Sequence, residues 1–173
     1  LLVVPLKAAL RAGGIPLDLG VYQAVEAVAR LQGQGIATIM LSGDNQAAAQ
    51  GVADQVGITQ VIAGVRPDGK AGQVLAFRDQ GHVVAMVGDG INDAPALAAA
   101  DVGFAIGTGT DIAIEAGEVV LMSGDLRGIV NAAALARKTL RTIRGNFFWA
   151  YAYNVALIPL AAGAFFPLFG ILL

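Results

Sequence analysis

The sequence predicts an α/β domain built on a parallel sheet and followed by a transmembrane helix. Two features carry the first expectation. Short apolar runs end abruptly in Gly, Ser, Asp or Asn, as buried parallel strands do where they meet a ligand. Segments of helical period lie between them, so the chain reads as repeated βαβ units. The second expectation rests on the stretch from Gly145 to Leu173, which carries no charged side chain. It exceeds the roughly 20 apolar residues that a bilayer core requires.

The elements follow in order. Leu1 to Leu10 reads as a strand or a short helix and Gly13-Gly14-Ile15-Pro16 as a turn, so residues 1–20 stay unassigned. Tyr22 to Leu31 places Val25, Val28, Ala29 and Leu31 at helical spacing, and Gly33 and Gly35 end it. Ile36 to Leu41 is a strand ending in Ser42-Gly43-Asp44-Asn45. Asp44 is expected to cap the next helix, in which Ala48, Val52 and Val56 share a face and Gly57 marks the stop. Val61-Ile62-Ala63 is a short strand. Pro67 and Asp68 open a helix that runs through Arg78 to Gly81. Val83 to Val87 is the central strand, followed by Gly88-Asp89-Gly90-Ile91-Asn92-Asp93 and an Ala-rich helix. Val102 to Ile106 is a strand ending in Gly107-Thr108-Gly109-Thr110, Glu118 to Met122 is the last strand, and a long helix runs from Asp125 at least to Arg144.

At 173 residues the chain holds one α/β core and little more. Only 14% of its residues are charged, against about 25% in ordinary globular chains, and the tail accounts for the imbalance. A net charge of −2 without a broad basic stripe argues against a nucleic-acid partner. The absence of Cys excludes disulfides and thiolate metal sites within the chain. Residue 1 is Leu, and no cationic segment with a small-residue cleavage site follows it. A fragment, a processed chain or an engineered piece of a protein is therefore expected.

Three strand ends carry the chemistry. Ser42-Gly43-Asp44-Asn45 offers a hydroxyl and exposed amides at a helix start, a setting suited to phosphate oxygens. Lys70 stands in the first turn of a helix, where a cation opposes the helix dipole; it is placed to neutralise a phosphoryl group. Asp89 and Asp93, with Asn92 between them, bring like charges together after an apolar strand, which is costly unless a cation is bound. Hard carboxylate oxygens suit Mg²⁺, and Gly88 and Gly90 let the backbone approach a ligand closely. His82 reads as a surface residue, and Asp111 and Glu115 as solvated charges at a helix start.

In this order and spacing the three segments resemble the later motifs of the haloacid-dehalogenase superfamily. They are closer still to the phosphorylation domain of P-type ATPases, whose signatures read TGDN, Pro-x-x-Lys and MVGDGINDAPAL. Here these are Ser42 to Asn45, Pro67 to Lys70 and Met86 to Leu97, and Ala100 to Asp111 resembles the heavy-metal branch. The resemblance covers residues 21–173. It implies a Rossmann-like sheet with flanking helices, Mg²⁺ as cofactor and ATP as substrate. Asp89 and Asp93 would bind Mg²⁺ with Asn92 completing the site. Ser42, where the family usually has Thr, would contact phosphoryl oxygens with Gly43 and the Asp44 turn, and Lys70 would offset their charge. Ser keeps the hydroxyl but lacks the methyl that restricts the rotamer.

In the tail, Trp149 and Tyr151 with Arg141 and Arg144 suit a membrane interface with the basic end cytoplasmic. The span is expected over residues 145–167, with 168–173 beginning another and residues 21–144 on the cytoplasmic side. Pro159 is placed to kink it. Asn146, Tyr153-Asn154 and Pro159 are spaced as in copper(I)-transporting ATPases, a similarity that implies Tyr153 and Asn154 help bind the transported Cu⁺. Phenol and amide are not soft ligands, so the thiolates must come from elsewhere in the same polypeptide. The family's nucleophilic Asp, in a DKTGT motif, does not occur in these 173 residues. The resemblance therefore implies that this chain alone forms no acyl phosphate. A membrane-anchored phosphatase and a non-enzymatic regulatory remnant are the rival readings. Within the pump class, Zn²⁺ or Cd²⁺ export is the nearest alternative, and no charged residue in the span supports it.

Overall fold

The computed structural model describes residues 1–4, 17–88, 92–106, 118–121 and 125–162. Six strands, β1 (Leu2–Val4), β2 (Thr38–Leu41), β3 (Gln60–Ile62), β4 (Ala85–Gly88), β5 (Val102–Ile106) and β6 (Val119–Leu121), form one sheet in the order β3-β2-β1-β4-β5-β6. Every pairing is parallel. The helices are α1 (Leu17–Gly33), α2 (Gln46–Val56), α3 (Pro67–Asp79), α4 (Ala94–Ala99) and α5 (Arg127–Ala161). This is the expected Rossmann-like parallel sheet. Its order reverses between β1 and β4, and ligands bind in the crevice beyond the strand ends at such a switch point.

The N-terminal residues differ from expectation. Leu2–Val4, left unassigned from sequence, is a central strand, with Val3 opposite Ile39 on one side and Met86 on the other. Its three residues are buried on both sheet faces. Val3 packs with Ile39, Leu41, Val74, Phe77 and Met86 on one side, while Leu2 and Val4 line the other with Ala27, Val28, Leu31 and Ile129. A run this short and this apolar has neither strand nor helix periodicity to read.

Other boundaries moved for local reasons. Val83 is 74% exposed, and the Val84 N–H donates to the Asp101 carboxylate at 2.8 Å rather than to a neighbouring strand. The ladder therefore starts at Ala85. Asn45, not Asp44, caps α2, its Oδ1 accepting the Ala48 N–H at 2.9 Å. Gly57 ends that helix as expected, at φ 76°, where any Cβ would be strained.

The chain divides into two compact units, Leu1–Asn131 and Ala132–Leu173, and the boundary falls inside α5. The first turns of α5 belong to the first unit, where Ile129 and Val130 are buried. The second unit is a single helix as far as the described residues go, continuing through Pro159 to Ala161. Among the described residues no helix is long and apolar enough to cross a membrane. The span expected over 145–167 is described only as far as residue 162. Asn146, Tyr151, Tyr153, Asn154 and Pro159 dilute the apolar stretch, and residues 163–173 lie outside the described ones.

Candidate functional site at the carboxyl edge of the sheet

The chain leaves β2 through Ser42, whose backbone is laced to the next strand end: its N–H donates to Ile62 O at 2.9 Å, and its carbonyl accepts from Val65 N at 3.0 Å. The Ser42 hydroxyl is buried. It donates to Asp44 Oδ2 at 3.1 Å and accepts the Asp44 N–H at 3.1 Å. Side chain and backbone of Asp44 thus hold Ser42 from the same turn. A Cβ at Gly43 would stand 3.3 Å from the Val65 carbonyl, so the turn packs closely on the loop leading to α3.

That loop delivers Lys70. Pro67 opens α3 with a preset φ, and Arg66 precedes it in extended conformation without a side-chain cap. One turn in, Lys70 Nζ lies 2.5 Å from Asp93 Oδ1. Asp93 is buried and Lys70 nearly so, with side-chain exposure of 1% and 12%. Asp93 stands at the start of α4, but only its backbone carbonyl serves the helix, accepting from Ala96 and Leu97. Its side chain is thereby free to turn toward Lys70. Asp93 Oδ2 is buried and accepts no hydrogen bond among the described residues, a costly condition for a carboxylate oxygen.

Gly88 makes room for this arrangement. A Cβ there would lie 2.6 Å from Asp93 Cβ and 2.9 Å from Oδ2. β4 can therefore end against Asp93 only because residue 88 has no side chain.

Ser42, Gly43, Asp44, Lys70 and Asp93 are thus set on neighbouring strand ends, and Lys70 meets Asp93 directly. Asn92, next to Asp93, is exposed. Asp89 and Gly90 lie outside the described residues, as do Gly107 to Thr110, Asp111 and Glu115. No group of three or more His, Cys, Asp or Glu able to hold a metal forms among the described residues. One observation nevertheless fits Mg²⁺: the buried Asp93 Oδ2 is a hard oxygen with an unmet need for a cation or donor. Tyr153 and Asn154 belong to the second unit, exposed on α5, where Asn154 Nδ2 donates to Ala150 O at 2.6 Å.

Two charged clusters escaped the sequence reading. At the opposite end of β4, Arg78 pairs with Asp101 at 3.1 Å and donates to Ala99 O at 2.8 Å. At the start of α5, Arg127 grips Asp125 with Nε and Nη2, both within 2.8 Å of Oδ2, and reaches Glu26 at 3.4 Å. Glu26 also pairs with Arg30 at 2.6 Å. The Glu26–Arg30 spacing of four was legible; the contacts across 21 to 101 residues left no local signal.

Residues 17–101 match the model of the haloacid dehalogenase-like hydrolases. The class of the domain follows from that match and from the parallel sheet with its Lys–Asp pair. The relatives narrow it. The chain is 60% identical over 149 residues to a probable copper-transporting ATPase, PacS, of Synechococcus elongatus, a match covering 86% of this chain and 20% of that protein. It is 55% identical to copper-transporting ATPase 1 of Rhizobium meliloti, over 86% of this chain and 18% of that one. Among solved structures, a zinc-transporting PIB-type ATPase superposes with a TM-score of 0.72 at 38% identity, covering 80% of this chain and 23% of that one. The chain belongs to the heavy-metal P-type ATPases, and it spans about a fifth of the length of the curated relatives it matches.

Proposed function

We propose that this chain is the larger part of the phosphorylation domain, with the helix that follows it, of an ATP-driven heavy-metal cation exporter. The observation that carries the reading is the buried Lys70–Asp93 pair with its unsatisfied carboxylate oxygen at the switch point of the sheet. Such a site suits a phosphoryl group and a divalent cation. Mg²⁺, when bound, would offset charge on the transferring phosphoryl group. Asp93 would hold it together with Asp89, with Asn92 beside them. Ser42 and Gly43 would orient phosphoryl oxygens within the turn that Asp44 braces, and Lys70 would supply a fixed positive charge. The phosphorylated Asp is expected in the DKTGT motif, outside these residues.

Cu⁺ is the cargo we favour, because relatives at 53 to 60% identity carry copper in their names. Tyr153 and Asn154 would contribute to its path through the membrane, with residues 145–167 as the span and residues 21–144 on the cytoplasmic side. Zn²⁺ is the second reading, supported by the zinc-transporting structure; the uncharged stretch from Gly145 to Leu173 speaks against a divalent cargo.

The test is calorimetric titration of the chain with Mg²⁺, alongside Asp93→Asn and Asp89→Ala. Binding abolished by either substitution supports the site, and unchanged affinity in both removes it. The chain alone is expected to form no phosphoenzyme with ATP; clear acyl-phosphate formation overturns that expectation.

A further inference from the structure

The described residues of the first unit carry five cationic side chains: Arg30, Arg66, Lys70, Arg78 and Arg127. Four are held by carboxylates. Arg30 pairs with Glu26, Lys70 with Asp93, Arg78 with Asp101, and Arg127 with Asp125 and Glu26. Arg66 differs: it is exposed and forms no ion pair among the described residues. It stands at the N-cap of α3, where residues with a side-chain acceptor are favoured and a guanidinium offers none. Its charge also opposes the helix dipole. Asp68 does not offset it, since side chains two apart on a helix do not face each other. Local stability gains nothing from a cation at this position.

The Arg66 backbone, by contrast, is firmly placed. The segment leading to it is hydrogen-bonded to the Ser42–Asp44 turn at three points. Ser42 N–H donates to Ile62 O at 2.9 Å, Gly64 N–H to Asp44 O at 2.8 Å, and Val65 N–H to Ser42 O at 3.0 Å. The Val65 carbonyl also closes on Gly43, 3.3 Å from where a Cβ would stand. On the other side, Gly69 N–H donates to Arg66 O at 2.9 Å, and Lys70 follows one turn into α3. Arg66 is thus fixed between the Ser42–Gly43 turn and Lys70, with its charge uncommitted.

We infer that Arg66 binds the outer phosphates of a nucleoside triphosphate, those behind the group that is transferred. Depth separates the two cations of this edge. Lys70 is tied to Asp93 and only 12% exposed, so it serves a phosphoryl group that has entered the site. Arg66, at the rim, meets what remains outside. Charge supports the same division. Mg²⁺ with Lys70 exceeds the carboxylates of Asp89 and Asp93 by a single charge. One phosphoryl group, at about −1.5 to −2, already outweighs that surplus, and each further phosphate needs a cation from elsewhere. The planar fork of a guanidinium suits adjacent phosphate oxygens. Arg66 thereby selects a triphosphate over free phosphate. The inference rests on the reading of this edge as a phosphoryl site and adds the residue that recognises the rest of the nucleotide's phosphate chain.

Equilibrium dialysis of the 173-residue chain at saturating Mg²⁺, against orthophosphate and against inorganic triphosphate, tests it. Triphosphate should bind at least about fivefold more tightly than orthophosphate. Arg66→Gln should lose that advantage and leave orthophosphate affinity as it was; the residue is exposed, so its replacement leaves the core intact. Arg66→Lys, which keeps the charge without the fork, should retain part of the advantage. Lys70→Met should weaken binding of both anions. Arg30→Gln removes an equal charge from α1 and should change neither. An equal loss for both anions in Arg66→Gln, or undiminished triphosphate binding there, overturns the inference, as does a native chain that binds the two alike. In each of these cases, orthophosphate binding that depends on Lys70 leaves the phosphoryl reading standing. No binding of either anion overturns both.

Discussion

Lys70 Nζ approaches Asp93 Oδ1 to 2.5 Å, while the other oxygen of the same carboxylate is buried without a partner among the described residues. Removing one member of a buried ion pair leaves the other charge uncompensated, at a cost of about 3 kcal/mol. Lys70→Met is therefore expected to lower the urea midpoint substantially without changing the slope. Lys70→Met/Asp93→Asn should recover part of the loss, because it removes both charges. A double variant as unstable as the sum of the single ones would show that the two side chains do not interact in solution.

Mg²⁺ should act on this same pair from the other side. If Asp93 Oδ2 takes the ion, thermal unfolding of the chain should shift upward with Mg²⁺ concentration, by linkage. In Asp93→Asn the shift should vanish. A Mg²⁺ effect of equal size in that variant would place the ion elsewhere.

Two glycines separate packing from backbone entropy. Gly88→Ala would drive a Cβ to 2.6 Å from Asp93 Cβ, so the strand end or the Asp93 side chain must move. The expected result is a loss of about 2 kcal/mol together with weakened Mg²⁺ binding. Gly72→Ala, inside α3 with nothing within 4 Å of the new Cβ, should instead stabilise by about 0.5 to 1 kcal/mol. Chemical denaturation of the two variants should give opposite signs.

Much of this was legible in the sequence, because local chemistry decided it. Val102–Ile106 is the strand its pattern predicts, and Gly57 and Pro67 punctuate helices where their backbone preferences require. Lys70 and Asp93 stood out because a cation in a first turn and a crowded carboxylate both run against ordinary stability. What failed depended on distant partners. β1 is a strand because β2 and β4 flank it, not through its own three residues. Asn45 and Asp44 are both good cap residues by composition; the Ser42 hydroxyl engages Asp44 and leaves the cap to Asn45. The pairing of Lys70 with Asp93 crosses 23 positions, beyond any periodic pattern.

That cap assignment is directly testable. Asn45→Ala removes the acceptor for the Ala48 N–H and should cost about 1 kcal/mol. Asp44→Ala should leave the α2 cap intact and act on the Ser42 turn instead, which amide exchange in residues 46–49 distinguishes. Faster exchange there in Asp44→Ala than in Asn45→Ala would reverse the assignment.

The start of α5 supplies a pH dependence with a definite sign. Burial alone pushes the Asp125 carboxyl up, but hydrogen bonds from the Arg127 side chain and N–H, together with its charge, outweigh burial and hold it below the usual carboxylate range. Arg127 is raised in turn, first by its hydrogen bonds to Asp125, and it stays charged throughout. Glu26 and Arg30 are the other ionisable groups of this cluster. A folded-state pKa below the unfolded value of about 3.9 means that the contribution is complete well above that pH. It fades as pH falls through the lower, folded value, when the carboxylate is protonated in both states. Arg127 is partly exposed, so solvent and salt screen the effect and its size is modest. Unfolding measured from neutral pH down through the carboxylate range should show stability falling more steeply in the native chain than in Asp125→Asn. Parallel curves would mean that the Arg127 contacts do not stabilise the charged form of Asp125 in solution.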